Sequence, residues 1–183
     1  IAENYVRKQT AFPYVILRPT GVYGPGEKDY FVEIKSIQSG FDFTAGYTPQ
    51  KITFIYVKDL ATAAFLALEN EKVINKHYFV GDGDVYTDEQ FAHLLQELLG
   101  KKRVLHLRVP LCLAQTACAC SEWFGKMRGK SVTLNNDKFL ILKQRNWICD
   151  VQPLHEDLGF KPKYTLRKGL EESIQWYRSN GWL

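Results

Sequence analysis

Leu17-Arg18-Pro19-Thr20-Gly21-Val22-Tyr23-Gly24-Pro25-Gly26 is the stretch on which the fold reading turns. It grows out of Val15-Ile16-Leu17, a short continuous apolar run. Such a run suits a strand buried on both faces, as in a parallel sheet covered by helices. The run ends in prolines and glycines that break regular structure and let the backbone approach a ligand closely. Upstream, Ile1 to Val6 reads as the middle of an amphipathic helix with no cap before it. That opening leads to the expectation that the chain is a fragment.

Working outward, strands and helices alternate. A helix is expected near Tyr30 to Ser39, with Gly40 as its stop. Phe41 to Thr44 and Lys51 to Val57 carry the β-branched and aromatic content of strands. Asp59 reads as the N-cap of a helix through about Asn70, a more economical role than catalysis. His77 to Val80 is a further strand, closed by Gly81-Asp82-Gly83. Thr87-Asp88-Glu89-Gln90 has the form of a capping box ahead of Phe91, Leu94, Leu95 and Leu98 at helical spacing. Val104 to Val109 is expected to be extended, and Pro110 to open a helix to about Phe124. Further helices are expected over Asn135 to Gln144 and Pro153 to Leu158, with a strand-like piece at Trp147 to Asp150. Thr165 caps the last helix, which ends at Asn180-Gly181. The class is therefore α/β.

At 183 residues, 45% hydrophobic and 24% charged, the chain can bury a sizeable core. The net charge of +4 is mild. Lys101-Lys102-Arg103 and Lys126 to Lys130 are small basic clusters without aromatic interleaving, read as solvated faces, so no nucleic-acid partner is expected. Val109 to Cys120 is too short to span a bilayer, so no membrane partner is expected and the location is read as cytoplasmic. Cys112, Cys118, Cys120 and Cys149 fall in no zinc-like spacing and read as free thiols. His77, His93, His106 and His155 are scattered, and the carboxylates of Asp82 and Asp84 are not followed by calcium ligands, so no metal site is expected.

Three segments together resemble the extended short-chain dehydrogenase/reductase family, which includes NAD-dependent epimerase/dehydratases and 3β-hydroxysteroid dehydrogenases. They are Leu17 to Gly26, then Phe54-Ile55-Tyr56-Val57-Lys58-Asp59-Leu60-Ala61, then Leu158-Gly159-Phe160-Lys161-Pro162 with the helix to Tyr177. The resemblance implies the C-terminal part of a Rossmann-like enzyme with a small α+β substrate-binding subdomain. Residues 1–26 and about 54–82 would complete the Rossmann-like sheet. Residues 27–53 and 83–183 would form the subdomain, the whole of 1–183 being a single fragment.

The family's Tyr-x-x-x-Lys helix is often continued by a small residue and Glu, which Ala2-Glu3 match. On that reading the Lys lies just before Ile1, the Gly-rich phosphate loop lies further upstream, and no catalytic residue maps onto this sequence. The chain alone is then expected to be inactive. What the resemblance does carry over is NAD or NADP contact, largely through backbone, around Pro19, Thr20 and Val22. Gly21, Tyr23 and Phe54 fall on the substrate side.

Two departures bear on the substrate. Nucleotide-sugar relatives commonly have Asn where this chain has Gly21, and Arg at the position of Ile52. A glycine cannot hydrogen-bond through a side chain, and an aliphatic residue offers a diphosphate neither charge nor a bidentate donor. With the apolar content of Tyr23, Phe54 and the Val109 to Phe124 helix, a small, rather apolar alcohol or carbonyl is expected. Alternatives are a nucleotide-sugar epimerase or dehydratase, with Arg103 or Arg108 replacing the lost cation, and a non-catalytic dinucleotide-sensing or protein-binding relative. The expected partners are a small-molecule substrate and the missing N-terminal Rossmann half, and self-association is expected of the isolated chain.

Overall fold

The computed structural model describes residues 2–8, 12–129 and 135–183, except the side chain at 138. Ile1 and Lys130, parts of the opening helix and of a basic cluster, lie outside the described residues. In chain order the elements are α1 (Ala2–Arg7), β1 (Val15–Pro19), β2 (Gly21–Tyr23), α2 (Asp29–Gln38), β3 (Phe41–Ala45), β4 (Lys51–Ile52) and β5 (Phe54–Tyr56). Then come α3 (Val57–Leu68), a short 3₁₀ turn, β6 (Lys76–Val80), β7 (Tyr86–Thr87), α4 (Asp88–Leu98) and β8 (Leu105–Val109). The chain closes with α5 (Leu111–Met127), α6 (Asn136–Leu142), β9 (Asn146–Trp147), α7 (Gln152–Leu158) and α8 (Leu166–Ser179). This is a mixed α/β chain, as its sequence pattern predicts. Among the described residues, no helix is long and apolar enough to cross a membrane.

The chain divides into two compact units. The first comprises residues 1–30, 52–85 and 148–183, the second 31–51 and 86–147. The sequence reading grouped 148–183 with 83–147, but burial groups it otherwise. Leu154 and Phe160 sit fully buried in one cluster with Ile55, Ala63, Val73, Tyr78 and Val80, all from the first unit. An α7 and α8 segment that supplies core to β5, β6 and α3 belongs with them.

In the first unit β1 pairs with β6 in parallel, Val15 opposite Lys76 through Pro19 opposite Val80. The loop reading of 21–23 is corrected: Gly21, Val22 and Tyr23 form a strand that pairs in parallel with Phe54, Ile55 and Tyr56. The expected single strand over Lys51 to Val57 breaks at Thr53, whose carbonyl accepts from Gly21 N–H at 3.1 Å. The role of Asp59 is also corrected. Helix α3 starts at Val57 with Tyr56 as an N-cap that makes no side-chain hydrogen bond. Asp59, 2% exposed, instead accepts from the backbone N–H groups of Lys163 (3.0 Å) and Tyr164 (2.9 Å), fastening the approach to α8.

In the second unit the capping box at Thr87 and Gln90 forms in both directions, and Gly40 and Gly100 end their helices at positive φ. Strands β3 and β8 pair in parallel, Phe41 opposite Leu105 through Ala45 opposite Val109. Arg145 donates to the carbonyls of Ala45 (2.8 Å) and Thr48 (3.0 Å), which ties the approach to β9 to the end of β3.

Candidate functional site

Parallel strands concentrate ligand-binding loops at their carboxyl ends, and in the first unit two such ends meet. Pro19 and Val80 finish β1 and β6 side by side. Thr20 continues the pairing, its N–H donating to the Val80 carbonyl at 2.9 Å and its hydroxyl to the same oxygen at 3.1 Å. Gly81 then packs so closely that a Cβ there would lie 3.0 Å from Val151 and 3.3 Å from the Thr20 hydroxyl. The expected cofactor-side residues Pro19, Thr20 and Val22 therefore lie together: Pro19 is exposed, and Thr20 and Val22 are half-buried.

The substrate-side residues split. Gly21 is half-buried, and the space a side chain would need is taken by the Tyr30 hydroxyl, with Phe54 at 3.1 Å and the Thr53 carbonyl at 3.2 Å. Tyr23 and Phe54 are 2% and 0% exposed and meet edge-to-face, ring centroids 5.9 Å apart. Both rings are closed from solvent here and act as packing beneath the loop. The Tyr23 ring also fills the place a Cβ on Gly169 would occupy, so α8 sits tight against β2.

The far end of the loop is pinned from α8. The Tyr177 hydroxyl faces the carbonyls of Gly24 (3.0 Å) and Glu27 (2.7 Å). Burial, and then the Glu27 carboxylate, push that phenol up to about 12, so it stays a neutral donor. Near the carboxyl end of β1, just before the loop, Arg18 makes a two-pronged pair with Glu3, one contact at 2.7 Å. The hydrogen bond from Arg18 holds the Glu3 carboxyl below the usual carboxylate range. Rigid anchors at both ends make this loop a defined surface.

Sequence reasoning missed Tyr30, because a tyrosine at a helix start gives no sign that it will fill the space above a distant glycine. It also passed over two Tyr-x-x-x-Lys spacings, Tyr47 to Lys51 and Tyr164 to Lys168. Neither reproduces a helical Tyr–Lys pair. Tyr47 precedes the two-residue β4, and Lys168 places its ammonium over the Tyr164 ring face, 4.5 Å from the centroid. Among the described residues, no three His, Cys, Asp or Glu gather as a metal site. Of the two arginines weighed as substitute cations, Arg108 is engaged by Glu89 and by the Tyr47 carbonyl at 2.8 Å.

A family model for the NAD dependent epimerase/dehydratase family matches residues 1–81, the stretch that holds β1, β2, β5, α3 and β6. The chain is 30% identical to the UDP-glucose 4-epimerase of Vibrio cholerae, over 92% of this chain and 48% of that protein. It is 28% identical to short-chain dehydrogenase/reductase family 42E member 1 of Danio rerio, over 90% of this chain and 44% of that protein. Its fold is that of a solved epimerase from Methanothermobacter thermautotrophicus, with a TM-score of 0.74 at 16% identity over 98% of this chain and 47% of that one. The family model and these relatives together support the extended short-chain dehydrogenase/reductase family for this chain. It spans about half the length of these curated relatives.

Proposed function

We propose that this chain is the substrate-side portion of an NAD(P)-dependent oxidoreductase acting on a small, rather apolar alcohol or carbonyl. The observation that carries the reading is the closed space above Gly21. A side-chain amide there, which would hydrogen-bond a sugar ring, meets the Tyr30 hydroxyl and Phe54. The position of Ile52 adds no cation for a diphosphate.

In this reading the backbone of Pro19, Thr20 and Val22 lies against the nicotinamide end of NAD or NADP. The doubled bond from Thr20 to the Val80 carbonyl fixes that backbone in place, the pre-organisation hydride transfer needs. The Tyr and Lys that move the proton in this family are supplied by sequence outside these 183 residues. The first unit's strands complete the Rossmann-like sheet with the rest of that protein, and the second unit is a substrate-binding subdomain. Without its N-terminal half the chain is expected to be inactive and to self-associate through the uncovered sheet.

The family match also keeps a nucleotide-sugar epimerase or dehydratase in view, and it is the second reading because of the 30% identity to UDP-glucose 4-epimerase. Purified full-length protein, assayed for NAD(P)H consumption with aliphatic and aromatic ketones, tests the first reading. Turnover that falls at least tenfold in a Thr20→Val variant with unchanged melting supports it. Cofactor binding without turnover of any such carbonyl would count against it.

A further inference from the structure

The parallel pair β3–β8 in the second unit leaves an apolar face exposed. In a paired sheet, partners in register project from the same face. Asp42 lies opposite His106 and Thr44 opposite Arg108 on one face, where Asp42 is buried, Thr44 and Arg108 are half-buried and His106 is exposed. Asp42 is 6% exposed and accepts from His106 Nδ1 at 2.8 Å. Helix α4 closes over the same face through Gln96 to His106 at 3.3 Å and Glu89 to Arg108. The opposite face carries Phe41, Phe43, Leu105 and Leu107, and it is open: 45%, 61%, 54% and 37% exposed. The two Phe rings stack side by side with centroids 6.1 Å apart.

This apolar face runs into a groove of about 890 Å³ whose wall includes Phe41, Leu105, Lys101, Lys102 and Arg103. The groove's charged lining is thus three cations against the single carboxylate of Glu97, with His93 and His106 beside them. Aromatic and aliphatic side chains bordered by a basic run are the composition that lodges at the boundary between acyl chains and anionic headgroups. The charge argues against a second copy of this chain as the cover. Two such faces meeting about a twofold axis would bring two Lys-Lys-Arg runs together.

We propose that this face docks on an anionic lipid surface, with Phe41, Phe43, Leu105 and Leu107 entering the interface and Lys101, Lys102 and Arg103 meeting the phosphates. The sequence expectation of no membrane partner weighed only a spanning segment; docking needs none. Every residue of the docking face lies in the second unit, and none belongs to the Pro19 to Tyr23 loop.

The test is co-sedimentation of the full-length protein with vesicles of phosphatidylcholine alone or mixed with phosphatidylglycerol. Binding is expected only to the mixed vesicles, and it should fall as salt is raised to about 0.5 M. K101Q/K102Q/R103Q should weaken the partition coefficient by about 100-fold. F43S/L107S should weaken it comparably while circular dichroism and melting stay unchanged. Absence of binding to the mixed vesicles would overturn the proposal. So would equal binding to both vesicle types, or binding that neither variant weakens. If vesicles are ignored and light scattering shows a dimer that F43S/L107S dissolves, the face belongs to a second copy. If neither is seen, another part of the protein covers it.

Discussion

The two parallel strand pairs β1–β6 and β3–β8 have the same pairing geometry and opposite burial. In the first unit, β6 turns Tyr78 and Val80 into a closed cluster with Ile55, Ala63 and Leu154, and polar groups serve to tie the edges. In the second unit, the buried member of the strand pair is the carboxylate Asp42, held to His106, and two phenylalanines face out. Hydrogen-bond pairing therefore does not decide which face is core; what packs on it does. The first pair is organised as a platform for a rigid loop at its carboxyl ends. The second presents a surface.

That contrast can be broken most forcefully at matched aromatics. Phe54→Ala, at a fully buried ring, is expected to cost about 4 kcal/mol in urea unfolding of the full-length protein. A value under about 1 kcal/mol would mean the first unit's core is not what holds its loop. Asp59→Ala should cost about 3 kcal/mol, because the N–H groups of Lys163 and Tyr164 lose a buried charged acceptor. Asp59→Asn keeps one acceptor oxygen and should lose less.

Gly21→Ala should cost about 2 kcal/mol through overpacking. Tyr30→Phe in the same background should recover part of that, since the hydroxyl is what the new methyl meets. A double-mutant cycle with no coupling between positions 21 and 30 would remove the structural reason for the substrate reading.

The second unit makes a pH prediction of its own. Burial, reinforced by the Asp42 and Asp88 carboxylates, raises the Glu33 carboxyl to about 8. The folded state then holds a proton there that the unfolded chain releases near its ordinary carboxylate value. Stability is fully present below that ordinary value and is lost as pH rises toward about 8. Glu33→Gln should flatten this decline in thermal melts between those limits; an unchanged slope would show that Glu33 is not its source. The smallest effect is expected at Phe43→Ser, on the open face, within about 0.5 kcal/mol of the parent protein.

How much of this was legible in the sequence follows the same division. Periodicity and caps located most of the elements, because Thr87, Gln90, Thr165, Gly40 and Gly100 act on their immediate neighbours. The Leu17 to Gly26 motif located the loop. It did not reveal that Gly21 to Tyr23 pair with Phe54 to Tyr56, since that pairing joins residues more than thirty apart. Asp59 was misassigned for a related reason: an acid at a helix start looks like a cap, whereas its partners are over a hundred positions away. The alternation Phe41-Asp42-Phe43 was visible as a strand, but nothing local says which face of a strand will be covered. Tyr23 and Phe54 illustrate the same limit at the candidate site, where nothing local in the sequence says that both rings are buried.

The most direct test of the central claim is calorimetric titration of the full-length, cofactor-loaded protein with UDP- and TDP-sugars. The closed space above Gly21 and the aliphatic Ile52 predict no binding at micromolar sugar nucleotide. Micromolar affinity for either sugar nucleotide would contradict the apolar-substrate account and favour an epimerase or dehydratase.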